Sequence, residues 1–268
     1  RNTTKGIWSN TSTLKVARSA LHYFEEPSIS GTNGSGTIFF SGCNLKCCYC
    51  QNKEISNNNF GINISVERLS ELMLELQKKK ANNINLVTPT HFVPSIIEAI
   101  KLARKKGLSI PIVYNTSGYE SITTIKLLAG YVDIYLTDFK YFDNKLGEDL
   151  SKVKNYFEVA SLALSEMYKQ VGINKFDDNG MMTKGIIVRC LVLPTKGDDT
   201  KKIINYLYKK YFEYYLAESE ILKFDRDDLF FYASKKIQKK GGYLFVSDYG
   251  SQYSILSRYG IRPFAVYG

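Results

Sequence analysis

Four of the chain's five cysteines fall within eight positions, Cys43 to Cys50, and three of them, Cys43, Cys47 and Cys50, are spaced C-x3-C-x2-C. Thiolates this close cannot pair with one another as sensible disulfides. They can wrap one face of a compact metal centre. A cubane iron–sulfur cluster held by three thiolates keeps one iron open, and that iron can take a ligand by its amine and carboxylate. Zinc is the alternative metal. It needs a fourth ligand, such as Cys48 or His91, and zinc ribbons usually bring a second cysteine pair, which the chain lacks. Reading Cys48 as a cluster ligand gives C-x4-C-x-C, which fits no cluster spacing, so Cys48 is a bystander. The apolar stretch Thr37-Ile38-Phe39-Phe40 before the loop reads as a strand. The loop then stands at a strand's carboxyl end, where barrel enzymes keep their sites.

Beyond the loop the chain alternates between two periods. Ser65 suits an N-cap, and Leu69, Leu72, Met73 and Leu76 recur behind it at helical spacing. Ile84 to Thr88 reads as a second strand. Pro94 opens a helix with Ile96, Ile97 and Ile100 on its buried face, and Gly107 ends it. Ile110 to Tyr114 is a third strand, and Ile122, Ile125 and Leu128 a short helix closed by Gly130. Val132 to Thr137 is a fourth strand, followed by a helix through Phe157, Ala160, Leu164 and Val171 that breaks at Gly172. Ile186 to Leu193 is a fifth strand, and Ile203, Ile204 and Leu207 mark another helix. This alternation argues for parallel strands with right-handed helical crossovers, either a barrel or a doubly wound sheet. The expected organisation is an N-terminal extension over 1–36, a core over 37–217 and a divergent segment over 218–268. A sixth strand would come from Leu229–Tyr232 or Tyr243–Ser247.

The Gly31–Gly36 loop precedes a strand and lacks the Gly-Lys-Ser/Thr ending of a phosphate loop. The formal net charge is +10, with lysines in short runs such as Lys78-Lys79-Lys80. Several runs fall at predicted helix ends, where they complement the dipole, and no nucleic-acid motif accompanies them. No apolar run is long enough to span a membrane, and no signal peptide is visible. The chain begins at Arg1 without a methionine, as a fragment would. Clustered, odd-numbered cysteines point to a reducing, cytoplasmic setting.

Polar residues gather where strands should end. Thr88-Pro89-Thr90-His91 follows the second strand, Asn115-Thr116-Ser117-Gly118 the third and Asp138-Phe139-Lys140 the fourth. Arg189 interrupts an apolar strand, and a buried guanidinium needs an anion. Cys190 beside it reads as a small buried hydrophobe, and His22 as a packed or surface histidine.

Cys43-x3-Cys47-x-Tyr49-Cys50 after a strand resembles the radical S-adenosylmethionine (SAM) superfamily. Gly36 to Leu45, Gln51-Asn52 and Asn85 to His91 resemble its pyruvate formate-lyase activating enzyme-like members, and the resemblance runs from about Val16 to about Tyr208. It implies a partial (β/α)6 barrel, open on one side, with a [4Fe-4S] cluster on Cys43, Cys47 and Cys50 and with SAM as cofactor. It implies that Tyr49 leans on the adenine. Asn115, Thr116 and Asp138 would lie beside the SAM, Lys140 would pair with its carboxylate, and Arg189 would stand nearby. No catalytic side chain follows from it. The implied reaction is reductive cleavage of SAM to a 5′-deoxyadenosyl radical that abstracts hydrogen. The implied partners are an electron donor such as flavodoxin or ferredoxin and a glycyl radical enzyme as substrate. The activating enzymes usually carry Gly-Gly-Glu where this chain has Thr88-Pro89-Thr90. The competing reading is therefore an inactive metal- or SAM-binding scaffold.

Overall fold

The computed structural model describes residues 14–57, 60–211 and 243–248. β1 (Lys15–His22) and the single turn α1 (Pro27–Ser30) precede β2 (Ser35–Phe40). The cysteine loop follows, then α2 (Lys53–Ser56), the short β3 (Ile62–Asn63) and α3 (Val66–Lys78). Next come β4 (Ile84–Val87), a 3-10 turn at Thr90–Phe92, α4 (Val93–Lys105), β5 (Ile112–Thr116), α5 (Ile122–Leu127) and β6 (Ile134–Phe139). α6 (Asn144–Ser151), α7 (Tyr156–Val171), β7 (Lys175–Phe176), β8 (Met182–Val192), α8 (Gly197–Tyr211) and β9 (Tyr243–Asp248) complete the described residues.

β2, β4, β5, β6, β8 and β9 pair in that order, every pair parallel. They form an unclosed partial (β/α)6 barrel. β1 runs antiparallel to β2, and β3 antiparallel to β1. β7 pairs antiparallel with the start of β8. The sheet therefore crosses both expected boundaries, since β1 lies within 1–36 and β9 within 218–268. Of the two sixth-strand candidates, Tyr243–Ser247 falls in β9, and Leu229–Tyr232 lies outside the described residues.

Local chemistry explains the helices. The Ser65 hydroxyl accepts from the Arg68 N–H at 3.1 Å and starts α3. Ser121 does the same for α5 through the Thr124 N–H, at 3.0 Å. Gly172, with φ +66, ends α7. Strand alternation divides the core. Ile112, Tyr114 and Tyr135 face outward, packed with Leu69, Met73, Ile96, Ile100 and Met167 of the helix layer. Burial of each such side chain contributes about 1.5–3 kcal/mol. Val113, Ile134, Leu136 and Ile187 face inward with Met182 and with Ile29 from α1. Asn83 fastens that plug, its Nδ2 donating to the Ile29 carbonyl at 2.6 Å, and Asn82 donates to the Ser30 carbonyl at 2.6 Å.

β5 and β6 each begin and end two residues later than the hydrophobic runs predict. The ladder continues past the apolar residues, pairing Asn115 with Leu136, Thr116 with Thr137 and Asp138 with Arg189. The polar residues at the mouth are therefore held in strands and not in loops.

Candidate functional site

The cysteine loop leaves β2 at Gly42, whose φ of +89 favours glycine, with the His91 ring beside it. Cys43, Cys47 and Cys50 are half-buried free thiols, while Cys48 is exposed. Each of the three has a hydrogen-bonding neighbour. The Leu45 N–H donates to Cys43 Sγ at 3.4 Å, Ser151 Oγ lies 2.9 Å from Cys47 Sγ, and Ser56 Oγ lies 3.3 Å from Cys50 Sγ. Burial pushes the Cys43 thiol up; the Leu45 N–H opposes this and the neighbouring Cys47 adds to it. A bound metal would reverse that balance, because coordination deprotonates a thiol outright. Among the described residues no three of His, Cys, Asp or Glu converge as a single-ion site would require. A cubane asks for less convergence, since each thiolate takes a different iron.

Lys140, Asp138 and Arg189 form a charge chain that descends from the loop along the inner face. Lys140 Nζ donates to Asp138 Oδ2 at 2.6 Å, and Arg189 Nε donates to Asp138 Oδ1 at 2.7 Å. Arg189 Nη2 donates to Asn115 Oδ1 at 2.7 Å. Its Nη1 lies 3.7 Å from Glu26 Oε1 and 4.0 Å from Glu25 Oε2. Burial pushes the Asp138 carboxyl up, but Arg189 and then Lys140 outweigh it and hold the group below the usual carboxylate range. Glu26 has a weaker counter-charge. Burial, opposed by Arg189 and assisted by Glu25, pushes it up to about 7.

The structure places Asn115, Asp138, Lys140 and Arg189 as neighbours on the inner face and Thr116 apart from them. Strand alternation turns Thr116 to the outer face, where its hydroxyl donates to Glu120 Oε1 at 2.6 Å. Thr90 Oγ1 donates to the same oxygen at 2.5 Å, and the Tyr114 hydroxyl lies at 3.4 Å. Burial pushes Glu120 up to about 7, the three hydroxyls opposing it. The Tyr49 hydroxyl meets that of Tyr141, which in turn lies 2.6 Å from Ser151 Oγ. Tyr49 is thereby joined to the packing behind Cys47. His91 lies half-buried against the loop; burial lowers its pKa, and a hydrogen bond with the Cys43 backbone opposes that.

Helix α7 fixes the mouth from behind. The fully buried Tyr156 donates its hydroxyl proton to the Ser117 carbonyl at 2.7 Å and accepts from the Lys140 N–H at 3.0 Å. Gly118 has φ +80, and a Cβ there would collide with the Asp138 carbonyl oxygen. Sequence reasoning assigned nothing to Glu25, Glu26, Glu120 or Tyr156. An acidic pair before Pro27 and a lone glutamate in a loop carry no pattern that marks them as buried.

Residues 37–207, well over half of the chain, match the radical SAM superfamily, whose members bind a [4Fe-4S] cluster and SAM. An uncharacterized protein of Methanocaldococcus jannaschii is 36% identical over 186 residues, covering 65% of this chain and 49% of its own length. The chain spans about half the length of that curated relative. SuiB of Streptococcus suis is similar in structure, at 13% identity over 82% of this chain and 49% of SuiB, with a TM-score of 0.49. Its form bound to S-adenosylmethionine gives 14% identity over 83% and 48%, with a TM-score of 0.49. The donor set described above, three free thiols on one loop with partly buried cations beside them, fits these cofactors. The chain belongs to the radical SAM superfamily.

Proposed function

We propose that this chain is a radical SAM oxidoreductase that abstracts hydrogen from a glycine of a partner enzyme. The observation that carries the reading is the loop of Cys43, Cys47 and Cys50 at the mouth of β2, beside the partly buried chain of Lys140, Asp138 and Arg189. When bound, the reduced [4Fe-4S] cluster supplies the electron that cleaves SAM to methionine and a 5′-deoxyadenosyl radical. The three cysteines would hold the irons. Lys140 spends one ammonium proton on Asp138 and has two left for a carboxylate. Asp138 orients both cations, and Asn115 fixes the guanidinium plane. These charges are partly buried, so they act in a medium where they are stronger than in bulk water.

A glycine suits the reaction because its α-radical is delocalised over the flanking peptide groups and no side chain blocks approach. The unclosed sheet offers an extended backbone a way in, and docking within contact distance would set specificity. The net charge of +10 favours acidic partners, including a donor such as flavodoxin or ferredoxin. A reducing cytoplasm would preserve the thiolates. Among the described residues no helix is long and apolar enough to cross a membrane.

The test is anaerobic reconstitution, then SAM, reductant and a glycyl radical enzyme from the same source. Replacing Cys43, Cys47 or Cys50 with Ala should abolish the brown absorption, and Cys48→Ala should retain it. Stoichiometric zinc without iron uptake would overturn the cluster, and absence of 5′-deoxyadenosine would favour the scaffold. Productive SAM cleavage with a small molecule, while no candidate partner gains a glycyl radical by electron paramagnetic resonance, would end the activase part.

A further inference from the structure

Below Arg189 the inner face is more acidic and less satisfied than a packed core requires. Glu25, Glu26 and Asp138 provide three carboxylates near two cations, Arg189 and Lys140. Glu26 is 8% exposed, and its Oε2 has no hydrogen-bond partner. Asn85 is fully buried, and neither its Oδ1 nor its Nδ2 has a partner. Ser28 of α1, also buried, has an unpartnered hydroxyl.

Asn85 lies on the inner face. It shares that face of β4 with Asn83, which holds α1, and it pairs in register with Val113, which packs on Ile29. Val87, one pleat above Asn85, pairs with Asn115, the residue that holds Arg189. Asn115 thus stands one register step above the Asn85–Val113 pair, on the side of Arg189. Each unpaired buried polar group costs about 1–3 kcal/mol. Other buried polar atoms, such as Ser70 Oγ and Glu120 Oε2, also lack partners, but the inner face alone brings an unpaired carboxylate oxygen, a whole amide and a hydroxyl to one side of the sheet.

We propose that the inner face between Arg189 and Asn85 binds the substrate through a protonated nitrogen, with Glu26 as its counter-charge and Asn85 orienting the adjoining amide or hydroxyl. Both oxygens of Asp138 are taken by Lys140 and Arg189, so the groups left to receive a ligand are the Glu25–Glu26 carboxyl pair, with Glu26 Oε2 unpartnered, and a carboxyl pair selects a cation over an anion. Burial pushes Glu26 up to about 7, and a cation beside it would favour its charged form. This deepens the reading above and rests on it. The positive group sits on a free small amine or on a basic side chain flanking the target glycine; the chemistry at Glu26 is the same.

The experiment reads the thermal midpoint of the reconstituted full chain, which requires no turnover. n-Butylammonium is compared with n-butanol and butyrate at matched ionic strength. N-acetyl-glycyl-lysine amide is compared with its norleucine analogue. The cationic probe of each pair should raise the midpoint and the uncharged one should not. A larger shift from the lysyl peptide assigns the charge to a partner side chain, and a larger shift from butylammonium to a small substrate. Glu26→Gln should weaken cation binding at least about tenfold, with Asn85→Ala as a second variant, while iron content and SAM affinity stay at wild-type values. Equal responses to butylammonium and butanol, or undiminished cation binding in Glu26→Gln, overturn the proposal. Loss of SAM affinity in Glu26→Gln also overturns it, because the acidic pair would then serve the cofactor. Failure of SAM cleavage alone would sink the enzymatic reading and leave this midpoint result standing.

Discussion

Glu26 and Glu120 are both buried carboxyls pushed up to about 7 by burial, and they stand on opposite faces of one sheet. On the outer face, Thr90, Thr116 and Tyr114 surround Glu120 with hydroxyls and no cation. On the inner face, Glu26 looks at a guanidinium already taken by Asp138 and Asn115. The outer arrangement is a neutral knot that ties the ends of β4 and β5. The inner one is a charged chain with capacity left over. Each carboxyl keeps one oxygen without a hydrogen-bond partner, Glu26 Oε2 and Glu120 Oε2, so the sign of the partners, and not their satisfaction, separates the charged inner arrangement from the outer knot.

The sharpest way to break this contrast is to remove the centre of the inner chain. Asp138→Asn strips the close partner from both Lys140 and Arg189. Leaving two partly buried cations underpaired costs about 2–3 kcal/mol, below the cost for a fully buried pair because Arg189 keeps Asn115 and solvent reaches both groups, which urea unfolding of the apo chain would measure. Glu26→Gln should cost under about 1 kcal/mol, since its Oε2 bonds nothing. Equal losses would mean that both carboxylates are structural.

The outer knot makes a prediction of similar size, through pH. Glu120 titrates near 7 in the folded chain against an ordinary 4.5. A group raised on folding contributes stability that is complete below the unfolded pKa and disappears as pH rises through the folded one. Glu120 should therefore cost the chain about 3 kcal/mol between pH 4.5 and 7, at about 1.4 kcal/mol per unit. Glu120→Gln mimics the protonated group, so its advantage over the wild type should grow by that amount from pH 4.5 to pH 8. Comparison with the wild type cancels the similar slope from Glu26. Parallel stability curves would refute the knot.

Tyr156→Phe tests whether the helix layer holds the inner mouth. It leaves the Ser117 carbonyl and the Lys140 N–H without their shared partner, at about 1–3 kcal/mol. A loss near zero would show that water replaces the hydroxyl and that α7 does not fix Lys140.

The sequence carried the inner chain better than the outer knot, for a physical reason. Asn115, Asp138, Lys140 and Arg189 interrupt apolar strand runs, and polar atoms in such places must find partners. Thr116 was grouped with Asn115 by adjacency, but a strand sends neighbours to opposite faces. Glu25 and Glu26 gain meaning only from α1 folding inward, a long-range contact that no local pattern encodes. β1 was equally silent: as an outer strand it is mostly half-buried on both faces, so it shows no alternation. β9 was legible as an apolar run but not its place, which depends on pairing with β8.

Thr88 joins the two regions and makes the smallest prediction. It follows β4 with φ +55, where a β-branched residue is strained by about 1 kcal/mol or more. Its N–H donates to the Asn115 carbonyl at 2.9 Å, on the strand that carries the inner site. Two residues on, Thr90 bonds Glu120 in the outer knot. The chain must cross from one face to the other within those residues, and the left-handed turn at Thr88 makes the crossing. Thr88→Gly removes the strain but adds about 0.5 kcal/mol of unfolded-state entropy, so the apo chain should gain only about 0.5 kcal/mol. If the strain serves to hold the inner site, that gain should come with looser geometry: a weaker SAM affinity at unchanged iron content, and no change in the pH slope assigned to Glu120. A stability gain with SAM affinity intact would make the turn at Thr88 a cost of connectivity alone, and the two faces would be energetically independent.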